Sequence, residues 1–129
     1  MWFLTSTGTI GERWAESYLK KLGLSLIARN WTCRLGEVDL IMREEKTVVF
    51  VEVKTRRLYK HSEYNPFSAL SVQKKRRVRR AAHHFLSTKR GLLKKTKLHE
   101  IRFDIVLIFY QQSWRGRRLA RIEHYANAY

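Results

Sequence analysis

A chain of 129 residues that is 44% hydrophobic and 12% aromatic is long enough to bury one core and too apolar to remain disordered, so a single domain over residues 1–129 is expected. Lys and Arg number 27 against 11 Asp and Glu; beyond mere solubility, a net charge of +16 points to a polyanionic partner, nucleic acid first, although a ribosome or an anionic membrane surface would use the same electrostatics. Cys33 is the only cysteine, which excludes an internal disulfide and a clustered-thiolate zinc site, and with no leader-like start and no run near the ~18 apolar residues of a membrane span, a reducing, cytoplasmic location is expected.

Ser6 and Thr7 offer caps for a first helix, along which Ile10, Trp14, Ala15, Tyr18, Leu19 and Leu22 recur at helical spacing until Gly23 stops it. LSLIARNW reads as a short strand, Arg34 to Gly36 as a turn, and Glu37 to Arg56 as a hairpin. Arg57 to Asn65 is polar and patternless, a loop. Asn65-Pro66 then opens a second, basic amphipathic helix with the stripe Phe67, Leu70, Val78, Ala81 and Phe85, and with Lys75, Arg76, Arg79 and Arg80 on its other faces. The basic connector STKRGLLKKTKLHE leads into IRFDIVLIFY, where Ile101, Phe103, Ile105, Leu107 and Phe109 share one side, and RRLARIEHYANAY closes the chain as a final strand and tail. The order is α-β-β-β-α-β-β, without repeat or linker.

The hairpin carries the chemistry. Glu37 and Asp39 share one face of its first strand; Glu52 and Lys54 share one face of its second with Val48 and Phe50. If Glu45-Lys46 is a two-residue turn, Glu44 pairs with Thr47 and Asp39 falls opposite Glu52, pointing the same way. Carboxylates opposed in a sheet cannot all stay ionised unless something positive intervenes. Lys54 is one such cation and a divalent metal another, since Mg²⁺ takes one or two carboxylates and fills its remaining positions with water and phosphate oxygens. An Asp and a Glu with Lys beside them suit phosphodiester hydrolysis without a Ser, Cys or His nucleophile. A solvated ion-pair ladder is the plain alternative, against which stands the nearly continuous apolar run Val48, Val49, Phe50, Val51, Val53 of a strand buried on both faces.

With Val38-Asp39 and Glu52-Val53-Lys54 in place, the sequence resembles the PD-(D/E)xK nuclease superfamily. More closely it resembles the YraN-type bacterial family, which is similar to archaeal Holliday junction resolvases. The matching segments GERWAESYL, GLSLIARNW, GEVDLI, FVEVKTR, RFD and HYANAY run through nearly the whole chain in order. The superfamily's proline before the aspartate is replaced here by Val38. The resemblance implies a restriction-endonuclease-like three-layer α/β fold with a mixed central sheet of about five strands flanked by helices. It implies Asp39 and Glu52 as metal ligands for Mg²⁺ or Mn²⁺, Asp39, Glu52 and Lys54 as catalytic positions, and Glu12 as the first-helix glutamate that resolvase-like members add. By its own spacing Glu12 edges the stripe Ala15-Leu19-Leu22, where it reaches inward or caps the helix.

Lys74 sits within the second helix's stripe, about one turn from Leu70 and Val78, and matches a lysine recurrent in the YraN pattern. It either snorkels to solvent or meets phosphate or the carboxylates. Gln73 beside it, Arg77, and Arg56 at the strand end are further candidates for nucleic-acid contact. The five histidines show no ligand spacing and read as surface or DNA-facing residues; Arg102 and Asp104, outward from their strand's core stripe, read as pairing or as contacting the sheet's other layer.

The expected function is a divalent-metal-dependent DNA endonuclease acting on branched or damaged duplexes, a homodimer being one arrangement that would cut both strands. The alternative is a non-catalytic nucleic-acid-binding or ribosome-associated module that keeps the nuclease fold. It would be indifferent to metal, and its log K would fall by about 0.9 per phosphate contact per log unit of salt.

Overall fold

The computed structural model describes residues 6–58, 71–88 and 100–129. Helix α1 spans Thr7–Lys21, with Ser6 as its N-cap accepting the Thr9 N–H at 3.1 Å. Its end is a Schellman motif: Gly23 sits at φ +101°, its N–H reaches Lys20 O at 3.0 Å, and the Leu24 N–H reaches Leu19 O at 3.1 Å. Leu22, expected on the apolar stripe, is the C-cap residue and is 55% exposed, because the chain leaves the helical course there.

Strands β1 (Ser25–Cys33), β2 (Gly36–Glu44), β3 (Thr47–Arg57), β4 (Glu100–Ser113) and β5 (Gly116–Tyr125) form one mixed sheet in the order β1-β2-β3-β4-β5. All neighbours are antiparallel except β3 and β4, which are parallel, as a crossover through helix α2 (Val72–Thr88) allows. The order α-β-β-β-α-β-β is the expected one, and a helix covers each face of the sheet.

Ala15 and Leu19 of α1 pack with Leu40, Met42, Val49, Val51, Val106 and Ile108. Val78, Ala81, Ala82 and Phe85 of α2 pack with Ile41, Val48, Phe50 and Phe103. Because β3 and β4 are two of the inner strands of this three-layer arrangement, both their faces are buried. That accounts for the unbroken apolar run of β3, and it means that β4 carries a second buried row, Val106 and Ile108, beside the expected one. Of that expected row, Phe103, Ile105, Leu107 and Phe109 are buried, while Ile101, near the strand's start, is 43% exposed.

Helix α2 begins at Val72, later than expected. Ser71 caps it, its Oγ accepting the Lys74 N–H at 3.1 Å and its carbonyl the Lys75 N–H at 3.0 Å. The Asn65-Pro66 opening, Phe67, Leu70, most of the 57–65 loop, residues 89–99 of the basic connector, and His61 and His99 lie outside the described residues. No helix among the described residues is long and apolar enough to cross a membrane.

Candidate active site

The Glu45-Lys46 turn sets the register. Glu45 adopts φ +53°, Glu44 pairs with Thr47, and the ladder of β2 and β3 runs through Arg43–Val48 and Ile41–Phe50 to Leu40–Val51. The next pair would be Asp39 and Glu52, and there the two strands part. Asp39 Oδ2 takes the Val53 N–H at 2.8 Å, a side chain replacing a main-chain acceptor. Strand β3 stays fixed at this level because β4 holds it, Glu52 facing Ile105 and Lys54 facing Leu107. The result is a fork with one acid on each prong.

Two close approaches set the helices against this fork. A Cβ on Gly11 of α1 would lie 2.9 Å from Thr55 Cβ and nearer still to its hydroxyl, so only glycine lets α1 settle there with Glu12 beside the site. A Cβ on Gly36 would stand 2.8 Å from the Arg77 carbonyl, so the start of β2 lies directly against α2. Lys74 therefore belongs to the first turn of α2, not to its middle. Its Nζ is 3.4 Å from Glu52 Oε1 and 4.0 Å from Glu37 Oε1, and Lys54 Nζ is 3.8 Å from Glu52 Oε1.

Glu52 is 2% exposed, and its Oε2 is buried without a hydrogen-bond partner. Burial, followed by the Asp39 charge, raises its carboxyl to about 7, against the pull of Lys74 and Lys54. Asp39 is also raised, chiefly by burial, but the Val53 N–H and a hydrogen bond from Glu52 oppose the rise. That carboxyl–carboxyl bond lowers Asp39 and raises Glu52, setting the two acids of the fork apart. Glu12 is raised as well, by burial first and by Asp39 second, while Asn30 bonds to it and holds it down. Asn30 stands in β1 at φ +46°, a conformation that Asn tolerates better than most residues.

The structure thus brings Asp39, Glu52, Lys54 and Lys74 together and sets Glu12 within the field of Asp39. Arg56 continues the Glu52–Lys54 side of β3, exposed, with its guanidinium donating to Thr55 O at 2.9 Å. Gln73 and Arg77 lie exposed on α2, flanking Lys74. Sequence reasoning left two participants out of the site. Glu37, which faces Lys74, could have been found from the face it shares with Asp39, whereas Asn30 gave no periodic signal.

His124 is a correction: it is not a surface residue. Its Nε2 lies 2.7 Å from Asp104 Oδ2, and its ring meets Tyr18 edge-on. Its partner is buried because Arg102 neutralises it, through bonds of 2.9 and 3.0 Å.

Among the described residues no three Asp, Glu, His or Cys side chains converge as a metal cage. A two-carboxylate site of the kind Mg²⁺ accepts is what remains, with water and phosphate completing the shell. Asp39 and Glu52 fit that role: two hard oxygen donors, one of them a buried atom with no protein partner, beside two ammonium groups.

The family described as "Uncharacterised protein family UPF0102" matches residues 11–108. The chain belongs to the UPF0102 family. Its relatives include the UPF0102 protein of Caldicellulosiruptor saccharolyticus, 41% identical over 102 residues that cover 79% of this chain and 80% of the relative. The UPF0102 protein of Nocardia farcinica is 41% identical over 101 residues, 78% of this chain and 74% of its own. That of a Synechococcus strain is 34% identical over 133 residues, covering 98% of this chain and 91% of the relative. The YraN-type kinship is thereby established, and the matched UPF0102 segment spans every candidate site residue from Glu12 to Arg77.

Proposed function

We propose that this UPF0102 protein is a divalent-metal-dependent DNA endonuclease of the PD-(D/E)xK kind, hydrolysing phosphodiesters in branched or damaged duplexes. The observation that carries this reading is the Asp39–Glu52 fork, where a buried carboxylate oxygen without a partner stands beside two lysines. Asp39 and Glu52 would hold Mg²⁺ or Mn²⁺ between the prongs of the fork. When bound, such an ion supplies Lewis acidity to a phosphoryl oxygen and lowers the pKa of adjacent water.

The chain's own residues do the rest. Lys54 and Lys74 place positive charge where a phosphoryl group gains negative charge. Glu12, its carboxyl raised by burial and by the Asp39 charge, stands where it would take up or return a proton beside Asp39. Arg56, Gln73 and Arg77 hold the backbone on either side. The +16 charge supports a nucleic-acid partner, but taken alone it supports the binding-only reading equally.

The test is cleavage of flap, four-way and linear DNA in Mg²⁺ or Mn²⁺ by the wild type and by an Asp39→Ala/Glu52→Ala double variant. The wild type should nick DNA and the double variant should be slower by ~100-fold or more. Equal nicking by both removes the assignment.

A further inference from the structure

Strands β4 and β5 run past the rest of the sheet as a two-stranded hairpin. Strand β3 ends at Arg57, level with Tyr110, while β4 continues to Ser113 and turns through Trp114 and Arg115. Because β3 and β4 are parallel, this tip projects from the same end of the sheet as the fork. From Ile105, level with Glu52, to Trp114 the strand advances roughly 25–30 Å at ~3.3 Å per residue.

Trp114 is 89% exposed, the most exposed of the large hydrophobic side chains in the described residues. The Arg115 guanidinium lies 4.8 Å from its ring centroid, fixing one face and leaving the other open. Gln111 to Arg121 contains four arginines and no acidic residue. At the hairpin's base a cleft of about 330 Å³ is lined by Arg57, Leu58, Gln111, Gln112, Ser113 and Arg118, which joins the tip to the end of β3 beyond Lys54 and Arg56.

A basic track with side-chain amides, ending on an open indole face, has the chemistry of a nucleic-acid contact in which arginines meet phosphates and the ring stacks on a base. Inside a duplex both faces of every base pair are already stacked. A free base face occurs only at an end, a flap or a branch, so an exposed indole discriminates for those structures. A membrane anchor would need more apolar area than one ring beside Leu119, which is 36% exposed.

We infer that the β4–β5 hairpin tip is a second nucleic-acid contact, in which Trp114 stacks on an unpaired or terminal base while Arg115, Arg117 and Arg118 hold the adjoining backbone. This inference rests on the proposed nuclease reading for what happens at the fork, and it specifies the substrate class: a duplex with an opening about eight base steps from the scissile phosphate, at ~3.4 Å per step.

The experiment is fluorescence anisotropy in EDTA, with a splayed-arm duplex and a relaxed, covalently closed circular duplex of equal length, which has no end, flap or branch. Trp114→Ala should weaken binding of the splayed DNA by ~10-fold, the size of one base–aromatic stack, and leave the circular DNA within about 2-fold. Trp114→Phe should restore most of the loss. Equal losses on both DNAs, or none, overturn the inference, as does a wild type that ignores both DNAs and binds phosphatidylglycerol vesicles through Trp114. Cleavage is read separately. Selective loss on splayed DNA by a protein that never cuts keeps the tip and removes the nuclease; cutting with no Trp114 effect does the reverse.

Discussion

Glu52 and Asp104 are buried carboxylates on adjacent strands, 2% and 0% exposed, and the protein treats them in opposite ways. Asp104 receives two bonds from Arg102, one from His124 and one from the Asn127 N–H at 2.9 Å. Burial alone would raise its carboxyl, but the His124, Arg102 and Asn127 bonds outweigh burial and hold it below its ordinary value. Glu52 has the neighbouring Asp39 carboxyl, two loosely placed ammonium groups, one orphaned oxygen, and a carboxyl raised to about 7. This sheet can satisfy a buried acid completely. Where it leaves one unsatisfied, at Glu52, the proposed divalent metal would be the missing partner.

Breaking the satisfied side should cost most. Asp104→Ala would strand Arg102, which keeps only Glu44 at 3.1 Å, and would remove the bond by which Asn127 helps to hold the tail. A loss of about 3–5 kcal/mol is expected, seen in thermal melts as a fall of ~10–20 °C. A shift below ~3 °C would mean that the network is worth no more than a surface pair. The Asp104 contribution is present above its ordinary value of 3.8 and fades as pH falls through the depressed one.

Changing the unsatisfied side should have the opposite sign. The Glu52 carboxyl is raised from 4.5 to about 7, so between those pH values the folded state holds a proton that the unfolded state has released. Stability therefore falls as pH rises through that window and then levels off. Glu52→Gln removes the dependence and should stabilise the protein at pH 8 by about 2–3 kcal/mol, since each tenfold change in proton affinity is worth ~1.4 kcal/mol. Mn²⁺ at 100 times its Kd should stabilise wild type by ~2.7 kcal/mol and leave Glu52→Gln unmoved. A wild-type melting temperature flat from pH 5 to 8 and indifferent to Mn²⁺ would place Glu52 among ordinary core groups.

The contrast between the two acids also marks what the sequence could disclose. The pairing of β2 with β3 was legible because a period of two leaves little freedom: a two-residue turn at Glu45-Lys46 puts Asp39 in register with Glu52, a turn shifted by one residue puts Glu37 there, and the ladder from Glu44–Thr47 to Leu40–Val51 follows the first. The parting of the strands beyond Leu40 was not, because an Asp accepting a main-chain N–H leaves no trace in hydropathy. The Asp104 network escaped for a related reason. Arg102 and Asp104 read as an outward polar pair, and His124, the partner that seals it, lies on another strand. Helix α2 was recognisable from Val78, Ala81 and Phe85, but Asn65-Pro66 gave a stronger opening signal than Ser71, which displaced Lys74 from the first turn.

That displacement gives the smallest and sharpest effect. A cation in the first turn of a helix opposes the helix dipole by about 0.3–1 kcal/mol, so Lys74 costs α2 something that its attraction to Glu52 and Glu37 offsets. Lys74→Met relieves the one and forfeits the other, and the net stability at neutral pH should change by less than about 1 kcal/mol. What should move is the pH window. Without Lys74, the stronger of the two lysine influences on Glu52, the carboxyl rises further and the fall in stability extends to higher pH, whereas Lys54→Met, from 3.8 Å, should extend it less. Melts of both variants across pH 5 to 9 decide the matter. If Lys54→Met shifts the window and Lys74→Met does not, the helix lysine is a solvated surface group, and the fork holds a single ammonium on its own strand.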